Sequence, residues 1–167
     1  MELSEEGADR LIYENDLRRA RERALYLMES RDHSYRELFD KLEKNYSEDI
    51  CFEVCNRLAE IGVINDRRYA EKLCRQLFEV KKLGRYRVRQ EMRLKGLGSE
   101  IIEEAMENFS EEDEPFERLE KLVEQKYERY LTDRKGVEKV RNALARKGYS
   151  FGEIKEVLDL YDLDFDD

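Results

Sequence analysis

The sequence predicts an all-α protein built as an elongated array of three tandem three-helix repeats. Three observations lead there. One proline and eight glycines in 167 residues, with 44% charged side chains, argue against a turn-rich β protein and favour helix formers. Apolar residues recur four apart on successive segments. The chain also resembles itself at a spacing of about fifty residues, the mark of a repeat architecture. LFDKLEKNYSEDICFEV, VRQEMRLKGLGSEIIEEA and VRNALARKGYSFGEIKEV each carry an apolar pair, Leu38 and Leu42, Val88 and Met92, Val140 and Leu144. A short polar turn and then an isoleucine follow each pair: Ile50, Ile101 and Ile154. Each group of helices is too small to bury its apolar face alone, so neighbouring groups are expected to stack or share helices.

The elements follow in order. Residues 1–18 are a lead-in that could move freely, and residues 19–64 form the first repeat. Ser34 and Glu37 have the spacing of a capping box, in which two orphan backbone donors are satisfied reciprocally. Ser47 caps the following helix, and Gly62 ends it, because a residue without Cβ adopts the left-handed cap conformation. The second repeat, 65–110, opens with Asn65 or Asp66 as cap. Its first helix, through residue 80, presents Tyr69, Ala70, Leu73, Cys74, Leu77 and Phe78 at helical spacing. Gly84 interrupts, Gly96 and Gly98 make the next turn, and Ser99 caps a short helix through Met106. EEDE, residues 111–114, is an acidic linker. Pro115 then starts the third repeat, 115–167, at a helix position where its missing N–H costs nothing; Leu119, Leu122, Val123 and Tyr127 line that helix.

The stretch KKLGRYRVRQEMRLKG, residues 81–96, holds seven basic side chains and one acidic one in a chain of net charge −9. Arg85-Tyr86-Arg87-Val88-Arg89 alternates like a strand, but Val88 and Met92 fix a helical register. On a helix Arg85, Arg89 and Arg93 fall in one row beside the buried pair. Residues 1–66 carry ten basic and seventeen acidic side chains, residues 67–95 eleven and three, and residues 96–167 eleven and twenty-one. The middle is cationic between two anionic arms. Like charges four apart destabilise a helix by roughly 0.2–0.5 kcal/mol per pair, so the row calls for a partner. Two remain open: acidic residues of the first or third repeat, or an external phosphate or carboxylate surface suited to arginine's forked donors. Arg67, Arg68, Lys81, Lys82 and Tyr86 lie near the same joint, and with Arg85, Arg89 and Arg93 they make the candidate binding set.

Other chemistry is not expected. Cys51 and Cys55 stand one helical turn apart, but two thiols do not make a zinc site, and core packing explains them better. His33, the only histidine, precedes a cap and is placed in a turn. No phosphate loop, nucleophile elbow or HExxH pattern occurs, so neither a catalytic residue nor a cofactor or metal is expected. MELSEEGADR lacks the apolar core of a signal peptide, and no run approaches the ~20 apolar residues of a membrane span. Three cysteines do not make a disulfide framework and fit a reducing cytoplasm.

GVINDRRYAEKLCRQ followed by GRYRVRQEMRLKGL resembles the middle of the RecX family, cytoplasmic bacterial regulators of the RecA recombinase. The matching residues are Gly62, Asp66, Tyr69 and Ala70, then Val88, Met92, Lys95 and Gly96. The resemblance covers about residues 20–161 and is specific over 62–97. It implies a chain of three-helix repeats that binds the RecA–DNA filament along its groove and limits filament growth or strand exchange, with no catalytic residues to carry over. DNA itself is a further possible partner of the basic repeat, no membrane is involved, and a monomer is favoured. Because both ends are acidic, recombinase binding is a firmer expectation than independent DNA binding. Two readings from other classes stand beside this one: a nucleic-acid-binding trihelical protein, and a helical scaffold for another protein.

Overall fold

The chain starts its first helix earlier than its apolar pattern indicates. Ser4 accepts a hydrogen bond from the Gly7 backbone N–H, and Glu5 and Glu6 sit in the first turn, where carboxylates favour the positive end of the helix dipole. Helix α1 therefore runs Glu5–Ser30, and residues 5–18, expected as a lead-in, are its first half. Leu17 packs against the core, and the Tyr13 hydroxyl donates to Glu53 at 2.7 Å. The computed structural model describes residues 4–165, apart from the Glu112 side chain; the rest of the lead-in, residues 1–3, lies outside them.

Eight further α-helices follow: α2 (Tyr35–Glu43), α3 (Glu48–Glu60), α4 (Asp66–Arg75), α5 (Arg85–Leu94), α6 (Ser99–Glu112), α7 (Pro115–Leu122), α8 (Arg134–Arg146) and α9 (Phe151–Leu158). No strand occurs among the described residues. Helix α4 continues as a π-helical turn, Gln76–Val80, and α7 as a π-helical turn, Val123–Tyr127, and a 3₁₀ turn, Glu128–Tyr130. The fold is thus all-α, with the expected three-helix groups. Helix α6 passes beyond Met106 because Phe109 stacks on Phe78, centroids 4.6 Å apart. Residues 111 and 112 are helical for that reason, and the acidic connection is shorter than EEDE.

The caps follow the sequence closely. Ser34 and Glu37 form the reciprocal box at α2, Ser47 accepts from the Ile50 N–H, and Gly62 has φ +81°. Asn65, not Asp66, caps α4, accepting from the Arg68 N–H at 3.0 Å. Asp66 instead accepts from the Tyr35 N–H at 2.9 Å.

The contacts divide the chain into two units. One contains residues 1–69 and 95–98, the other 70–94 and 99–167, so α4 contributes to both. The first unit's core joins Ala20, Ala24 and Leu27 of α1, Leu38 and Leu42 of α2, and Ile50, Cys51, Val54, Cys55 and Leu58 of α3. The thiols are buried, and burial pushes Cys55 up to about 12, so both behave as small apolar groups. The second unit buries Val88 and Met92 of α5 and Ile102, Met106 and Phe109 of α6. A larger cluster there joins Leu119, Leu122, Val123, Val140, Leu144, Ile154 and Val157.

One joint occurs twice. In the first unit the turn after α5 meets the start of α2: the Ser34 hydroxyl donates to the Lys95 carbonyl, and Gly96, at φ +77°, lies so close to Arg36 that a Cβ would come within 2.6 Å of it. In the second unit the turn after α8 meets the start of α5. Gly84 N–H donates to the Lys147 carbonyl at 2.8 Å and Tyr86 N–H to the Gly148 carbonyl at 3.3 Å. Each joint sets a Lys-Gly turn against the amino end of an earlier helix: at α2 the Ser34 hydroxyl meets the Lys95 carbonyl, and at α5 backbone N–H groups that have no intrahelical partner meet Lys147 and Gly148.

His33 lies in the turn before α2, as expected, but buried. It is 1% exposed, with Nδ1 3.0 Å from the Arg31 carbonyl and Nε2 2.9 Å from Lys41 Nζ. The Lys41 ammonium can only donate, so Nε2 accepts and Nδ1 carries the proton. Burial lowers the imidazole's pKa, with Arg31 and Lys41 adding to the fall and the Arg31 carbonyl and Glu37 opposing it. A depressed folded-state pKa means stability is full above the ordinary value of about 6.5 and is lost as pH falls through the folded value. Urea unfolding of the wild type is expected to show a lower midpoint at about pH 5.5 than at about pH 7.5, with His33→Gln flattening the difference. A wild-type midpoint that does not move over this range would contradict the assignment.

Candidate filament- or nucleic-acid-binding face

The basic face is built on α5. Gly84 lets the chain cross the α8 turn: a Cβ there would lie 2.4 Å from the Gly148 carbonyl carbon. Val88 and Met92, both fully buried, then fix the rotation of the helix, and the arginine row is left along its edge.

The row does meet an acidic residue of the same chain, but from the middle repeat itself. Glu103 of α6 accepts from Arg89 Nε at 2.6 Å and from Arg89 Nη2 at 3.2 Å, the bidentate geometry that arginine makes with carboxylates. These hydrogen bonds hold the Glu103 carboxyl below its usual range, and the charges of Arg89, Arg93 and Arg85 lower it further. Among the described residues Arg85 makes one hydrogen bond, a long one of 3.5 Å to the Ser110 hydroxyl. Arg93 has no ion pair among the described residues. One carboxylate thus serves three arginines. Arg87 points to the other side and pairs with Glu91 at 2.9 Å.

The remaining candidates divide between the units. Tyr86 is 66% exposed and Lys81 is exposed, whereas Lys82 is half-buried. Lys82 has φ +55°, and its carbonyl accepts from the Tyr149 hydroxyl at 2.7 Å, so this loop is held from the third repeat. Burial pushes the Tyr149 hydroxyl up to about 12. Arg67 and Arg68 are exposed in the first turn of α4 and belong to the first unit, whereas Lys81, Lys82, Arg85, Tyr86, Arg89 and Arg93 belong to the second.

The residues of the middle repeat's sequence pattern prove architectural. Asp66 ties α4 to the start of α2, and Tyr69 is buried beside Glu37, with burial and that carboxylate pushing its hydroxyl up to about 12. Arg31 meets the same carboxylate at 2.8 Å. Lys95 and Gly96 make the joint described above. Sequence reasoning missed Glu103, whose signal is only its place beside buried Ile102. It also missed Arg118, which pairs with Asp113 and lies 4.8 Å over the Phe78 ring.

Three trihelical groups in tandem, the middle one carrying a cationic helix, define a helical-repeat protein. Comparison with known proteins gives the same class a family. The model of the RecX first three-helix domain matches residues 20–58, that of the second 65–106 and that of the third 112–158; the chain belongs to the RecX family. The regulatory protein RecX of Vibrio parahaemolyticus is 34% identical over 148 residues, 87% of this chain and 93% of its own length. That of Clostridioides difficile is 28% identical over 168 residues, 99% of this chain and 78% of its own length. The crystal structure of RecX from Lactobacillus salivarius superposes with a TM-score of 0.77 at 26% identity, covering 87% of this chain and 96% of that one. The Vibrio and Clostridioides relatives are named as regulatory proteins. Among the described residues no helix is long and apolar enough to cross a membrane.

Proposed function

We propose that this chain binds the RecA–DNA filament as a cytoplasmic monomer and inhibits its extension, ATPase and strand exchange through the basic face of α5. The observation that carries the reading is the unbalanced row, in which Glu103 neutralises Arg89 and leaves Arg85 and Arg93 exposed beside Tyr86. Arginine and tyrosine with little competing carboxylate form a surface for acidic filament side chains or for the DNA backbone. Lys81 and Lys82 extend this face, and Arg67 and Arg68 are candidate contacts of the first unit. Membership of the RecX family supports the choice of filament.

The test is RecA's DNA-dependent ATPase with this protein titrated in. Inhibition far below one copy per recombinase subunit indicates capping, and inhibition near equal amounts indicates coating. No inhibition at any ratio would sink the proposal. Glu103→Gln releases Arg89 and is expected to strengthen inhibition. An exposed ion pair is worth at most about 1 kcal/mol, so the melting temperature should move only slightly; weaker inhibition would remove Arg89 from the contact.

A further inference from the structure

The third repeat carries a second cationic helix that the charge distribution hides. Over residues 134–147, α8 and its cap hold Arg134, Lys135, Lys139, Arg141, Arg146 and Lys147 against one carboxylate, Glu138. Lys139, Asn142 and Arg146 stand at i, i+3 and i+7, on one face of the helix. They line an open cavity of about 400 Å³ together with Val140, Tyr127 and Tyr130, and no carboxylate lines it. Lys139 and Arg146 are exposed and have no ion pair among the described residues, although the chain has 41 acidic side chains. Tyr130 is 44% exposed, and the Arg129 guanidinium lies 4.8 Å from its ring centroid.

The tyrosines owe their place to the break in α7. The π-helical turn Val123–Tyr127 and the 3₁₀ turn Glu128–Tyr130 swing both rings toward α8, and such breaks often mark functional sites. The fold does not demand aromatic residues there. The corresponding π-helical turn of the second repeat, Gln76–Val80, ends in Val80 where this one ends in Tyr127.

From this geometry we infer that the third repeat contains a docking site for a single-stranded nucleic acid. A base stacks on Tyr130, the Asn142 amide faces its hydrogen-bonding edge, and the flanking phosphates lie on Lys139 and Arg146. Stacking needs an exposed aromatic face, and phosphates need cations without carboxylate competitors. An acidic protein segment would use the cations but would gain nothing specific from a half-exposed tyrosine ring and a free amide. The site lies outside the face of α5 and does not depend on the recombinase.

Its test uses the full chain without recombinase, titrated into a labelled oligothymidylate of roughly 20 nucleotides and into an abasic oligomer of the same length. Tyr130→Ala is expected to weaken oligothymidylate binding about 10-fold or more, and to leave the abasic oligomer unaffected. Tyr130→Phe should bind as wild type, which separates stacking from folding. Replacing Lys139 and Arg146 by alanine should weaken both ligands and reduce the salt slope by about 1.4 for two single-strand phosphate contacts. Equal binding of oligothymidylate by wild type and Tyr130→Ala would overturn the inference. So would wild type binding no oligothymidylate at low salt, or polyglutamate displacing the oligomer as well as unlabelled oligothymidylate does. Because no recombinase is present, these results are independent of whether the α5 face binds a filament.

Discussion

Gly84→Ala is expected to destabilise the second unit by about 3–5 kcal/mol, enough to unfold a marginal domain. Gly84 needs no unusual φ, so the cost is crowding alone. The new methyl carbon would stand 2.4 Å from the Gly148 carbonyl carbon, 2.5 Å from its oxygen and 2.5 Å from Tyr149 N. All three are backbone atoms that no rotamer change can move aside. Relief requires parting α5 from the α8 turn. That weakens the bonds from Gly84 N–H to Lys147 and from Tyr86 N–H to Gly148, roughly 1 kcal/mol each, on top of about 1–3 kcal/mol for overpacking. Gly98→Ala is the control, because nothing lies within 4 Å of the position its Cβ would take; its effect should stay within about 0.5 kcal/mol. Equal melting temperatures for the two variants would show that the α5–α8 joint contributes nothing to stability.

Reversing Lys81, Arg85 and Arg93 to glutamate is expected to abolish inhibition of the RecA ATPase while leaving helicity and melting nearly unchanged. These three side chains are exposed and make no ion pair among the described residues, so the folded chain loses only the weak attraction of Arg85 and Arg93 for Glu103 when they change. Each now repels an acidic or phosphate surface that it formerly attracted, and like-charge contacts across an interface cost several kcal/mol. Arg89→Glu behaves differently. It sets a like charge against Glu103 where a bidentate pair stood, so it should lower stability by about 1 kcal/mol as well as impair binding. Undiminished inhibition by the triple variant would remove Lys81, Arg85 and Arg93 from the mechanism.

Much of this architecture is legible along the chain. The apolar pairs Leu38/Leu42, Val88/Met92 and Val140/Leu144 are buried, as their spacing requires, and the caps at Ser34, Ser47 and Pro115 stand where residue type places them. These features are local: a cap involves three or four residues, and a helical face needs only its own periodicity. The misreadings also share a cause. Residues 5–18 have weak apolar periodicity, so the pattern gave α1 no early start although Ser4 was there to cap it. The end of α6 depends on Phe109 finding Phe78, a contact between residues 31 apart that no local signal encodes. His33 precedes the Ser34 cap, as its position in the chain indicates, and its burial beside Lys41 gives it a further role.

For the candidate face, the sequence by itself determined that α5 is a helix, that Arg85, Arg89 and Arg93 share one edge of it, and that the middle of the chain is cationic. Helical periodicity and charge counting are properties of neighbouring residues and need no fold. Tertiary structure decided which of those charges remain to bind a partner. Glu103 reaches Arg89 because α5 packs against α6, and that packing leaves Arg85 and Arg93 exposed. It also decided that Lys139, Asn142 and Arg146 face two tyrosines, since a π-helical turn at Val123–Tyr127 displaces the rings from the register a regular helix would give them. Ion pairs and aromatic contacts join residues distant in sequence, and their partners are set by how the buried faces fit together.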